Sequence, residues 1–183
     1  MQIKLSFALL LVVTIVVEVQ SLWTEFEWIG IENSKSGAIT SDVKVTRFNK
    51  TTYSLSGTAD ITVDLNENFD CEAKLFFSSK GDSKYVLQPY KIARDVCCTL
   101  MDSTYWKSIE SRLREASDIP ERTGNEPYCL AFKKNTYTMK QFAFDNKIIP
   151  KHFEVGSYKC TFFMYEKESE EVLSTVTFII RLY

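Results

Sequence analysis

The chain has 183 residues, a formal net charge of −2 and an aromatic content of 14%. Lys, Arg, Asp and Glu are interspersed, so no basic stripe exists to draw a phosphate backbone, which argues against a nucleic-acid partner. Five cysteines and one histidine, His152, without paired C-x-x-C spacing, argue against a metal site and imply no cofactor.

Residues 1–21, MQIKLSFALLLVVTIVVEVQS, carry Lys4, an apolar run from Leu5 to Val17, and a short polar exit with Val19 and Ser21. That three-part order predicts an export signal cut before Leu22. The run is shorter than the ~20 residues of a comfortable membrane span, so no span is expected once it is removed. The remaining ~160 residues suit one domain, 22–183, secreted to the extracellular space.

Strands are expected next. Trp23–Gly30 contains three large aromatics. In Ala38–Phe48, Val43 and Val45 fall opposite in parity to Asp42, Lys44 and Thr46. Asn49-Lys50 predicts a tight turn, since Asn tolerates left-handed backbone. Asn49-Lys50-Thr51 is also a glycosylation sequon, so Asn49 is a candidate glycan site. In Thr51–Leu65, Tyr53, Leu55, Gly57, Ala59, Ile61, Val63 and Leu65 share one parity, and Ser and Thr with two Asp hold the other. Alternation of this kind is a long strand with one dry face. Gly57 and Ala59 make that face narrow at its middle. Either another element approaches closely there, or there is room for a ligand.

Phe69–Ser79 alternates Cys71, Ala73, Leu75 and Phe77 against Glu72 and Lys74. Tyr85–Ile92 reads as a strand broken or bulged near Pro89, which cannot donate to a ladder. From Ala93 to Ala116 the apolar spacing turns helical, through Val96, Cys97, Leu100, Met101, Tyr105, Ile109 and Leu113. Asp102 or Ser103 is placed to cap a second helix. Ser117–Pro127 is a polar loop. Strands return at Asn135–Phe144, with Tyr137, Met139, Gln141 and Ala143 on one parity. They continue at Tyr158–Lys167, with Tyr158, Cys160, Phe162 and Met164 sharing a face. The last, from Glu171 to the C-terminus, alternates Val172, Val176, Phe178, Ile180 and Leu182. The pattern predicts a mainly β fold: a two-sheet antiparallel β-sandwich with one or two short helices within 93–116.

Cys71, Cys97, Cys98, Cys129 and Cys160 should form bridges in an oxidising compartment, with one thiol left over. Cys97 and Cys98 would point about 100° apart on a helix, so at most one should face a given partner, and the other is the expected leftover.

The segments PYKIARDVCCTL, EPYC and TYTMKQFAFDNKIIPKHFEVGSYKC, in that order after the Asn-Lys-Thr turn, resemble a group of small secreted insect proteins similar in plan to the chemosensory Che proteins. More distantly they resemble the ML lipid-recognition superfamily, which includes the ganglioside activator and the lysosomal sterol carrier. The chain departs from the family pattern by having Cys97-Cys98 in place of one cysteine and Leu130 where Pro usually follows Cys129. The resemblance implies an ML-like, immunoglobulin-like sandwich with an apolar cavity between its sheets and a non-catalytic role. It also implies a Cys97–Cys129 bridge; exclusion then leaves Cys71–Cys160, with Cys98 free. It supplies no ligand motif. The candidate cavity residues are therefore those of inward parity: Leu55, Gly57, Ala59, Ile61, Val63, Leu75, Phe77, Phe162, Met164, Phe178 and Ile180, each of which also reads as plain core.

No G-x-S-x-G occurs, and His152, in a connection beside Lys151 and Pro150, is the only histidine available as a general base. The expectation is a non-enzymatic secreted carrier of a small hydrophobic ligand: a lipid, pheromone or cuticular hydrocarbon. The alternative is an extracellular interaction module with a filled core whose target is a receptor or channel.

Overall fold

The computed structural model describes residues 25–33, 37–49, 53–143, 149–167 and 169–183. The expected export signal, Trp23, the Lys50-Thr51 half of the sequon and residues 144–148 lie outside them. Eight strands are present: β1 (Phe26–Asn33), β2 (Ile39–Arg47), β3 (Tyr53–Ile61), β4 (Phe69–Ser78), β5 (Val86–Val96), β6 (Asn135–Phe142), β7 (Gly156–Glu166) and β8 (Val172–Leu182). Helices α1 (Cys97–Met101) and α2 (Thr104–Glu115) follow β5, and a 3-10 turn covers Tyr128–Ala131. A five-stranded sheet runs β1-β8-β7-β4-β5 and a three-stranded sheet runs β2-β3-β6. All pairings are antiparallel. The expected two-sheet sandwich is therefore the fold.

Parity decides which face is inside. Trp28, Ile180, Tyr158 and Phe77 are register neighbours across β1, β8, β7 and β4, and Trp28 packs in one cluster with Leu55 of β3 and Phe142 of β6. The opposite face of the large sheet is roofed by amphipathic side chains. Lys74 lies 4.9 Å over the Phe163 ring, Arg94 lies 4.3 Å over Tyr165, and the Thr161 and Thr177 hydroxyls are 2.9 Å apart. Long side chains that keep their charge in water while covering rings explain why this face tolerates water.

Three local expectations are corrected. Residues 93–96 are strand and not helix: Asp95 pairs with Cys71 and Val96 with Asp70, and Arg94 Nε donates to Asp70 at 3.0 Å. Pairing with β4 overrides the local helical spacing. Second, β6 is bulged. Gln141 has φ 54°, the register against β3 shifts between Leu55 and Gly57, and Phe142 turns inward while Gln141 is exposed. An extra residue at a bulge flips every later side chain.

The third correction is the disulfides. The bridges are Cys71–Cys97 and Cys98–Cys129, each with Cα atoms 4.9 Å apart, and Cys160 is free. Neither Cys97–Cys129 nor Cys71–Cys160 forms. The strand β5 ends against β4, so the first residue of α1 arrives beside Cys71. The 100° turn to the next residue then aims Cys98 at the 3-10 turn that carries Cys129. Adjacent cysteines cannot share a partner, but on a helix they serve two partners. Cys160 is opposite Leu75, whereas Cys71 is opposite Met164. Four residues of strand, ~13 Å, separate the two positions, beyond the ~7 Å limit for a bridge.

Candidate functional site

The second layer is narrower than the first, and its placement sets the site. β2 begins beside β8, with Ile39 N donating to Ser174 Oγ at 2.7 Å. Going outward come β3, β6 and then α2. Ser103 starts α2 by accepting from Trp106 N at 3.3 Å. The helix end is tied to β6 by Lys140 N to the Ala116 carbonyl, 2.6 Å, and by Asp118 N to the Thr138 carbonyl, 3.1 Å. Ile109 and Leu113 of α2, with Ala116 at its C-cap, join the Trp28–Leu55–Phe142 cluster.

The apolar interior falls into three clusters. One, at the disulfide end, packs Ala38, Ile61, Leu65, Tyr128, Phe132, Tyr137 and Met164 around both bridges. A second is built on Tyr158 and Leu182 at the opposite end. The third is the Trp28 cluster between the sheets. Phe162 belongs to none of these clusters; it shares the inner parity of central strand β7 and lies between Ala73 and Val176 in register. Its ring meets Phe178 edge-on at 5.9 Å, and Phe178 meets Trp28 at 5.9 Å. Yet Phe162 is 37% exposed, whereas Met164, two residues along the same face, is 3% exposed. Interiors are packed to near crystal density, so a central-strand ring this accessible lies where the second layer leaves the first uncovered.

The expected cavity residues divide accordingly. Phe162, Phe178, Leu75, Ile180, Phe77 and Ala59 keep part of their surface accessible; Leu75, Phe77 and Ile180 pack against the Tyr158–Leu182 cluster, and Phe178 and Ile180 against the Trp28 cluster. Leu55 and Ile61 are buried, and Met164 and Val63 belong to the disulfide-end packing. Gly57 has its own explanation. With φ 147°, a Cβ there would collide with the Asp42 carbonyl and with Val43 Cα of β2, so close approach of a neighbouring strand requires glycine.

Sequence reasoning missed Ile92 of β5, paired with Ala73, because register shifts around Pro89 break the alternation that would reveal an inner face. It also missed Phe153, which stacks on Tyr158 at 5.0 Å. The only signal for Phe153 was its position beside the Tyr158 row.

The site carries little charge. The Tyr158 hydroxyl donates to the Glu154 carbonyl at 3.0 Å, and burial pushes its pKa up to about 12. Burial likewise raises the Cys160 thiol to about 11. Both are neutral at physiological pH. His152 is exposed, with its ring 5.4 Å from Tyr90 and from Phe153. Among the described residues, no group of three or more His, Cys, Asp or Glu side chains is arranged to hold a metal.

A cleft of about 330 Å³ between α2 and β6 is lined by Glu115, Ala116, Ser117, Asp118, Thr138 and Lys140, and several of its polar groups already bond one another. Arg122 pairs with Asp102, donates to Glu110 Oε2 and to the Met101 carbonyl at 3.0 Å each, and lies 4.4 Å over the Tyr128 ring. It clamps the 117–127 loop onto both helices and has no access to the interior space. Among the described residues, no helix is long and apolar enough to cross a membrane. No protein-family model matches this chain, and no curated protein shows a significant match to it.

Proposed function

We propose that the chain is a secreted, non-enzymatic binding protein that holds a small hydrophobic ligand between its two sheets. Lipids, pheromones and cuticular hydrocarbons are the fitting class, and a chemosensory role goes with them. The observation that carries the reading is Phe162, an accessible ring on the inner face of a central strand. Neutral, ring-rich walls favour a ligand recognised by apolar contact, without charge pairing. The two disulfides suit an exported protein, and the Che-like order of motifs points the same way.

The test starts with protein from a secretory host. Native mass spectrometry followed by organic extraction should find a bound apolar molecule. Ala59→Phe should then weaken uptake of a fluorescent fatty acid at little cost in stability, because open space accepts the ring. If position 59 is filled core, the ring overpacks it by ~1–3 kcal/mol. A wild type that carries no lipid and takes up no probe, with a destabilised variant, contradicts the carrier reading and leaves the interaction module.

A further inference from the structure

Among the described residues, four strands end the two sheets: β1 and β5 in one, β2 and β6 in the other. An edge strand offers a row of main-chain donors and acceptors to a second strand, and proteins blunt such edges with bulges, proline or a covering element. Three of the four are blunted in this way. The register of β1 shifts between Trp28 and Gly30. That of β5 shifts twice, and the strand holds Pro89. β6 is bulged at Gln141 and tied by Lys140 N to the end of α2. β2 is the exception: its nine residues pair with β3 without a break and contain no proline.

Two bonds fix which main-chain groups of β2 face outward. Thr62 N donates to the Ala38 carbonyl at 2.9 Å, so Ala38 bonds toward β3. Ile39 N donates the other way, to Ser174 Oγ of β8 at 2.7 Å. Bonding directions alternate along an antiparallel strand, so Val43 and Val45 present their N–H and C=O groups at the edge. Their side chains pack against the Trp28 cluster. The other parity carries the charge. Asp42 and Lys44 lie 3.2 Å apart, with side chains 75% and 72% exposed, and an ion pair so exposed contributes little within one chain.

We propose that β2 pairs antiparallel with β2 of a second copy of the chain about a two-fold axis at Val43, joining two three-stranded sheets into one of six. Val43 then faces Val43 and exchanges both main-chain bonds with it, Val45 faces Ser41, and each Asp42 faces the Lys44 of the other copy. Opposite charges directly across an antiparallel pair stabilise it, and like charges destabilise it. The bonding phase lets the axis move only in whole residues. An axis at Asp42 sets acid against acid, and one at Lys44 sets base against base, so charge selects the axis at Val43. This self-matching pattern points to a second copy over an unrelated strand, and two-fold symmetry makes every contact occur twice. The pairing asks nothing of the interior, so it stands or falls separately from the carrier reading.

The test is sedimentation equilibrium of the purified chain from a secretory host, over about 1 to 100 μM at low salt, a span that reads a micromolar Kd directly. The wild type should dimerise, and less so as salt is raised. Lys44→Glu sets acid against acid at two symmetric places and should weaken the dimer about tenfold. Asp42→Lys should do the same by setting base against base. Asp42→Lys combined with Lys44→Asp restores opposite signs across the axis and should return association to within about threefold of wild type. Hydrogen exchange at the Val43 and Val45 amides should slow as wild-type concentration rises. Both charged side chains are exposed, and unchanged melting confirms that the variants fold. A wild type that stays monomeric throughout, or a dimer that Lys44→Glu leaves as strong, overturns the proposal. A swapped pair that does not recover association overturns the Val43 register, and dimerisation without protection at Val43 and Val45 gives the contact to another face.

Discussion

Met164 and Phe162 sit on one strand, face the same way and differ in surroundings. Met164 is sealed into the disulfide end, where two bridges, a short helix and a ring cluster of Tyr128, Phe132 and Tyr137 close the sandwich. Phe162 lies where the second layer has only three strands and a helix to cover five. The chain therefore spends its cross-links at one end and leaves apolar surface unfilled toward the middle. The carrier proposed above would use both: covalent and packed rigidity where nothing enters, and space where something does.

The largest effect that separates the two regions should come from removing a bridge. Cys98→Ser with Cys129→Ser opens a link of sequence separation 31, worth ~3–4 kcal/mol in the chain-entropy model and a fall of about 10 °C in melting temperature. Binding of an apolar probe to the remaining folded fraction should be unchanged. Loss of probe affinity with intact folding would mean that the two regions are not separable. A non-reducing peptide map of the wild type should join Cys71 to Cys97 and Cys98 to Cys129.

Next in size is the Arg122 clamp. Glu110 is buried, and Arg122 is its nearest partner at 3.0 Å, with Arg114 at 3.9 Å. Arg122→Ala leaves that carboxylate poorly compensated and should cost ~1–3 kcal/mol, below a fully buried pair because Arg122 is partly solvated. Limited proteolysis should then cut within 117–127 first. Arg122→Lys should restore less than half the loss, since a lysine cannot bridge Asp102 and Glu110 as a fork.

These corrections show what periodicity conveys. The alternation in β3, β7 and β8 gave the sheets and their inner faces, because a half-buried strand writes its burial into every second residue. The bridges were not legible, because pairing depends on where β5 ends against β4, a tertiary register. Gln141 falls on the unexpected face for a related reason: a bulge adds one residue of sequence and inverts the pattern after it, whereas the irregularity expected near Pro89 is where the β5 register shifts. The open space at Phe162 was also illegible. A phenylalanine at an inward position looks the same in sequence whether or not the opposite layer reaches it.

A smaller effect appears only in alkali. The folded pKa of Cys160 is raised by burial from 9.0 to about 11. A raised folded pKa gives stability that is complete below the unfolded value and is lost as pH rises through the folded one. Urea midpoints should therefore fall between about pH 9 and 11, and Cys160→Ala should flatten that limb without altering stability at pH 7. An unchanged limb would place the thiol in water.

The central claim, unfilled apolar space beside a filled end, is tested most directly by truncating the two neighbours on β7. Urea unfolding of ligand-stripped protein should show Met164→Ala losing ~2–5 kcal/mol, as for a packed side chain. Phe162→Ala should lose ~1 kcal/mol or less, because much of its ring already faces open space. If Phe162→Ala instead loses the ~3–5 kcal/mol of a fully packed phenylalanine, the interior is filled and the account is wrong.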